Sequence, residues 1–110
     1  MNFYIGNSVE DIVVTDRNAA FSDELQNYMY KLRKRVDCDM DILFNIDSYS
    51  DVVIPREDVS ELVRICDYIL SESVLADYFE KAEGIEEVCE LKQIAEEALE
   101  KGTGLVSLGD

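Results

Sequence analysis

Val59, Leu62, Val63, Cys66, Ile69 and Leu70 stand at i, i+3, i+4, i+7, i+10 and i+11, the spacing that gathers apolar side chains on one face of an α-helix. No other stretch of the chain constrains the fold as tightly. The pattern predicts a helix over about residues 57–70, with Glu57 and Asp58 placed to suit the positive end of its dipole. A helix that is apolar on one side alone has to lay that side on a second layer of structure.

Several runs offer material for that layer. Phe3 to Ile5 reads as a strand stopped by the turn-forming Gly6-Asn7-Ser8, and Ile12-Val13-Val14-Thr15 as a short second strand. Cys38, Met40, Ile42, Phe44 and Ile46 alternate with Asp37, Asp39, Asp41, Leu43, Asn45 and Asp47. Because strand side chains point alternately to opposite faces, this predicts a strand with one apolar face and, on the other, a ladder of carboxylates interrupted by Leu43. Val52-Val53-Ile54, ended by Pro55, and the terminal Leu105-Val106-Ser107-Leu108 read as further strands.

Three more helices are expected. The first covers residues 23–35, with Ser22 as N-cap, Asp23 and Glu24 in the first turn, and Phe21, Leu25, Tyr28, Met29, Leu32 and Val36 on its apolar face. Lys31, Arg33, Lys34 and Arg35 gather at its C-terminal end, where cations suit the dipole. A short helix is expected over residues 73–82, broken by Gly84. The last covers residues 85–101, buries Val88, Leu91, Ala95, Ala98 and Leu99, and stops at Gly102. The order predicts an α/β or α+β fold in a single domain over residues 1–110, a small sheet of about three to five strands packed against three or four helices. Strand order stays open.

Composition narrows the class. A chain of 110 residues, 47% of them apolar, can build a core without staples, and its periodic apolar residues argue against disorder despite the charge. No segment approaches the ~20 apolar residues of a membrane span. Met1-Asn2-Phe3-Tyr4-Ile5 has neither the basic start nor the long apolar run of a secretory signal. Cys38, Cys66 and Cys89 are odd in number and widely spaced, which is no disulfide framework and points to the reducing cytoplasm.

Catalytic chemistry finds little to use. The chain has no histidine, which removes the commonest general base and metal ligand and excludes Ser-His-Asp and Cys-His machinery. The cysteines lack the short pairs of a zinc site and fall on expected apolar faces. Asp37, Asp39 and Asp41 resemble the opening of a calcium loop, but the sixth and twelfth places hold Ile42 and Ser48 where glycine and glutamate are needed. Glycine-rich phosphate loops and the nucleophile-elbow pattern are missing. No cofactor and no metal is expected, and the protein is not read as an enzyme.

What remains is charged surface. The formal net charge is −15, with 10 acids and 5 bases in residues 1–55 and 15 acids and 5 bases in residues 56–110. Such a field repels nucleic acid and anionic membranes and draws basic partners. Two sets of residues are candidates for contact. Asp37, Asp39 and Asp41 form the expected ladder with Asp47, and Tyr49 sits between Asp47 and Asp51 as an aromatic of the kind enriched at binding hot spots. Glu83, Glu87, Glu90, Gln93 and Glu97, with Glu86 beside them, make an acidic stripe along the last helix. Lys92 and Lys101, four residues from Glu96 and Glu97, offset part of it. A solvated outer helix face is the favoured reading of the stripe over an interface. An apolar interface built on Tyr4, Tyr30, Tyr49, Tyr68 or Tyr78 also stays open.

Two stretches resemble a known class of proteins. Asp51-Val52-Val53-Ile54-Pro55-Arg56-Glu57-Asp58-Val59, running into Leu62-Val63-Arg64-Ile65-Cys66, is one. The tail Glu97-Ala98-Leu99-Glu100-Lys101-Gly102-Thr103-Gly104-Leu105-Val106-Ser107-Leu108-Gly109-Asp110 is the other. Both resemble small acidic immunity proteins of bacterial polymorphic-toxin and contact-dependent growth inhibition systems, over about a third of the chain and without a diagnostic motif. The resemblance implies a cytoplasmic protein that binds a toxin domain and blocks its active site or substrate access. Many such toxins are nucleases, whose phosphate-binding surfaces are basic. Two alternatives of other classes stand beside it: a small carboxylate-dependent hydrolase or metal-binding protein, and a regulatory or scaffolding interaction domain. Oligomeric state is left open.

Overall fold

Met1 and Phe21 exchange backbone hydrogen bonds at one margin of the sheet, the Phe21 amide reaching the Met1 carbonyl at 2.9 Å and the Met1 amine reaching the Phe21 carbonyl at 3.2 Å. The computed structural model describes residues 1–109; Asp110, the last residue of the tail that carries the resemblance, lies outside them. Among the described residues the sheet has four strands, β1 (Asn2–Ile5), β2 (Ala19–Ala20), β3 (Val52–Ile54) and β4 (Leu105–Leu108), in the order β2-β1-β4-β3. All pairings are antiparallel, with Phe3 opposite Ser107 and Ser107 opposite Val52, and Ile5 opposite Leu105 and Leu105 opposite Ile54. The fold is therefore α+β, an antiparallel sheet covered by helices.

Paired residues point to the same side of an antiparallel sheet. One side carries Phe3, Ala19, Ile54 and Leu105 into the core. The other carries Tyr4 and Val106, buried outside that core, and Val53, which is 44% exposed. The Tyr4 hydroxyl donates to the Val14 carbonyl at 3.3 Å, fastening residues 7–18 over this second side. Ser107 is the buried polar residue of the core side, and its hydroxyl has no hydrogen-bond partner among the described residues.

The helices are α1 (Asp23–Leu32), α2 (Asp41–Phe44), α3 (Arg56–Ser71) and α4 (Lys81–Glu100). α3 and α4 pack along each other, and α4 also lies across β1 and β2. The expected stripe of α3 buries Val59, Leu62, Cys66 and Ile69, with Ile65 added, while Val63 and Leu70 sit half-buried at its margin. Ser22 caps α1 through its hydroxyl, which accepts from the Leu25 amide at 3.3 Å. α4 ends as expected at Gly102, whose φ of +70° is left-handed. The Thr103 amide reaches the Ala98 carbonyl at 2.9 Å and the Gly102 amide reaches that of Leu99 at 3.1 Å, the two bonds that close a helix C-terminus around a left-handed residue.

Four local expectations are overturned. Ile12–Thr15 is not a strand: a 3-10 turn at Val9–Asp11 leads into a bend, with the Asp16 amide bonded to the Val13 carbonyl at 2.8 Å. β-propensity has no neighbour to pair with there, and the second strand is Ala19–Ala20 instead.

The Asp-rich strand over residues 37–47 is also absent, and with it the carboxylate ladder. Met40, Leu43 and Ile46 are the buried residues, spaced by three, and residues 41–44 form α2. Asp39 accepts from the Asp41 amide at 3.0 Å, a local side-chain bond that starts the turn. The Gln26 side chain then donates to the carbonyls of Leu43 and Ile46 at 2.9 and 3.0 Å, satisfying groups that a strand would have had to bond elsewhere.

No helix forms over residues 73–80. Ser73 turns left-handed at φ +51° and the Val74 amide bonds the Ile69 carbonyl at 3.1 Å, which terminates α3. Buried Leu75 and Tyr78 pin the bend that follows. Gly84, expected as a breaker, lies inside α4 because Tyr78 sits on it: a Cβ there would stand 2.9 Å from the Tyr78 ring.

Candidate functional site

The loop between α2 and β3 carries three exposed residues of the expected contact set, Asp47, Tyr49 and Asp51. Asp47 accepts from the Tyr49 amide at 2.9 Å and from the Ser50 hydroxyl at 3.1 Å, so its carboxylate builds the turn that holds Tyr49 out. Tyr49 is 73% exposed. The strand end of the loop is tied down by the tail. Asp51 accepts from the Gly109 amide at 3.2 Å, and a Cβ at Gly109 would stand 2.4 Å from the Ser50 nitrogen, a closeness that only glycine permits.

Beside this loop lies an open groove of about 280 Å³ lined by Gln26, Tyr30, Phe44, Ile46, Asp47 and Tyr49, among others. Tyr30 is 48% exposed and meets Phe44 edge to face at 5.3 Å. The Arg33 guanidinium stacks on Tyr30 at 3.7 Å from the ring centroid and donates to the Tyr30 carbonyl at 2.7 Å. The groove is thus walled by aromatics and edged by the Asp47 carboxylate on the loop side, while the stacked Arg33 cation lies on Tyr30. Ile46 also lines a second groove, of about 190 Å³, that runs beside β3 with Ile42, Asn45 and Asp58.

The other expected residues are placed differently. Asp37, Asp39 and Asp41 are exposed but follow a turn instead of a ladder. The Asp37 amide donates to the Tyr68 hydroxyl at 3.0 Å, and Arg64 reaches the Asp39 carbonyl and the Cys38 sulfur at 3.4 Å each while pairing with Glu61 at 2.6 Å. The α4 stripe is partly structural. Glu87 accepts from the Ser22 amide at 2.6 Å, and Glu97 pairs with Arg17. A hydrogen bond to Glu83, with that residue's charge and those of Glu24 and Glu87, pushes the Glu80 carboxyl above its ordinary range. Glu90 stays exposed. No hydrogen bond or ion pair among the described residues joins the α4 carboxylates to the residue 37–51 segment.

Of the tyrosines considered as interface residues, Tyr4 and Tyr78 are buried and Tyr68 is half-buried, which leaves Tyr30 and Tyr49 on one groove. Phe44 completes that groove, and Arg33 stacks on Tyr30. The spacing of Met40, Leu43 and Ile46 by three was the sequence signal for the turn that brings Phe44 to Tyr30. Among the described residues no three side chains of the metal-binding types converge on one point, and no helix is long and apolar enough to cross a membrane. Cys66 is buried, which pushes its thiol up from 9.0 to about 12, and all three cysteines are free. No protein-family model, curated protein or solved structure matches the chain.

Proposed function

We propose that this protein neutralises a bacterial toxin domain with a basic surface, a nuclease being the simplest case, by binding it in the cytoplasm and covering its active site or substrate path. The observation that carries this reading is the coincidence, on one groove, of the exposed rings of Tyr30 and Tyr49 with the Asp47 carboxylate. Exposed aromatics supply binding energy at the centre of an interface, and a chain of net charge −15 steers a basic partner to it. The resemblance of residues 51–66 and 97–110 to immunity proteins favours a toxin over other basic partners.

The test is protection. The chain is co-expressed with the basic toxin domain that co-purifies with it, in cells that the domain otherwise arrests. Wild type should restore growth. Tyr49→Ala should weaken binding about ten-fold or more, with the association rate falling as salt rises, while its melting temperature stays within the effect of about 0.5 kcal/mol expected of a surface change. A partner that is not basic, bound with no salt dependence, would return the protein to the scaffolding class.

A further inference from the structure

The sheet ends at two edges, β2 and β3, and β3 is the one with a groove running beside it. Among the described residues β3 closes the strand order and pairs with β4 alone. In an antiparallel pair every second residue turns its N–H and C=O away from the partner strand, and among the described residues no loop or side chain bonds the backbone of Val52, Val53 or Ile54 from outside. Val53 is 44% exposed although Val106, opposite it, is fully buried. Alongside this edge runs the groove of about 190 Å³, floored by Ile42 and Ile46 and bounded by Asn45 and Asp58.

We infer that a short basic segment of the partner docks in this groove in extended form and adds a strand to β3. The inference rests on the partner-binding reading above and specifies how the contact is made. An added strand gains main-chain hydrogen bonds from the edge and places alternate side chains in the groove. Residues opposite Val52 and Ile54 point to the core side, toward Ile42 and Ile46, and suit apolar side chains. Asp58 at the groove and Asp51 at the start of β3 suit flanking lysine or arginine. A second copy of this chain is the poorer occupant, because two bodies of net charge −15 repel. The edge is short and Pro55 ends it, so only about two or three residue pairs form, and groove and charge complete the affinity.

The probes are a hexapeptide of alternating valine and lysine, its twin N-methylated at alternate residues, and a valine–glutamate version, each titrated into the full 15N-labelled chain. The unmodified basic peptide should shift the amides of Val52, Val53 and Ile54 and slow exchange of those facing outward. The N-methylated twin has the same charge and should bind about ten-fold more weakly, the loss of one or two net hydrogen bonds. The acidic peptide should not bind. Val53→Lys, a change at an exposed position, should weaken the basic peptide without lowering the melting temperature. Equal binding of both basic peptides, or shifts confined to residues 26–30 and 47–49, would overturn strand docking and leave the toxin-binding reading standing. No binding of the basic peptide by a chain that still protects cells would do the same. Failure of protection itself sinks the parent reading.

Discussion

Ser107 shows what a single polar atom costs in this core. Its side chain is fully buried between Phe3 and Val52 on the core side of the central strand, and its hydroxyl has no partner among the described residues. An unsatisfied buried hydroxyl costs about 1–3 kcal/mol, and alanine removes it while leaving almost the same volume. Ser107→Ala should therefore raise stability by about 1 kcal/mol in denaturant titration. Cys66 gives a pH signature. Burial first, and the charge of Asp67 second, push its thiol from 9.0 up to about 12. The folded state then keeps a proton that the unfolded chain releases. The contribution is intact below pH 9 and is lost as pH rises from about 9 toward 12, at up to ~1.4 kcal/mol per pH unit. Stability against pH for wild type and Cys66→Ala should diverge in slope only in that window. Alkylation of the native protein at pH 8 should reach half-buried Cys38 and Cys89 before Cys66.

At the scale of elements, helix ends decide the path of the chain. α3 and α4 close with the same left-handed device, but α4 uses Gly102 and α3 uses Ser73. A non-glycine residue in that conformation is strained by about 1 kcal/mol. Ser73→Gly should stabilise the protein by about 0.5–1 kcal/mol in thermal or denaturant unfolding, and Gly102→Ala should destabilise it by a similar amount. The same comparison explains which elements were legible. Long one-sided stripes such as that of α3 identify a helix from spacing alone, because many positions agree. Gly102 marks a stop because its backbone requirement is local. Residues 37–47 misled because their alternation matches a strand, whereas three bonds from Asp39 and Gln26, two of them from another helix, stabilise a turn. Gly84 departs from expectation for a related reason: a buried Tyr78, placed by tertiary packing, makes the close approach there favourable.

For the whole molecule the dominant quantity is charge. A body of net charge −15 with a radius of gyration of 13.1 Å repels itself, and salt screens that repulsion. The melting temperature should rise as sodium chloride is raised to about 0.15 M, where the screening length falls to ~8 Å. Calcium, magnesium or manganese at matched ionic strength should do no more than sodium, and should give no saturable heat in calorimetry. A saturable heat would favour the carboxylate-dependent hydrolase or metal-binding alternative. The candidate contact face also belongs to this scale. Tyr49 and its acidic neighbours could be named from sequence, because charge follows from residue type and Tyr49 stands between Asp47 and Asp51. Tyr30 and Phe44 come from two helices and join Tyr49 only through the packing of α1 against α2, with Arg33 stacked on Tyr30.

The sequence by itself determined the helical stripe of α3, the cap at Ser22, the stop at Gly102, the terminal strands and the acidic field, each set by local spacing, a backbone requirement or composition. The tertiary structure decided the strand order, which leaves β3 at an open edge, and the division of carboxylates between building turns and facing solvent. Those outcomes depend on contacts between residues far apart in the chain, such as Asp51 with Gly109 and Glu87 with Ser22, and no local pattern encodes which distant group a carboxylate will meet.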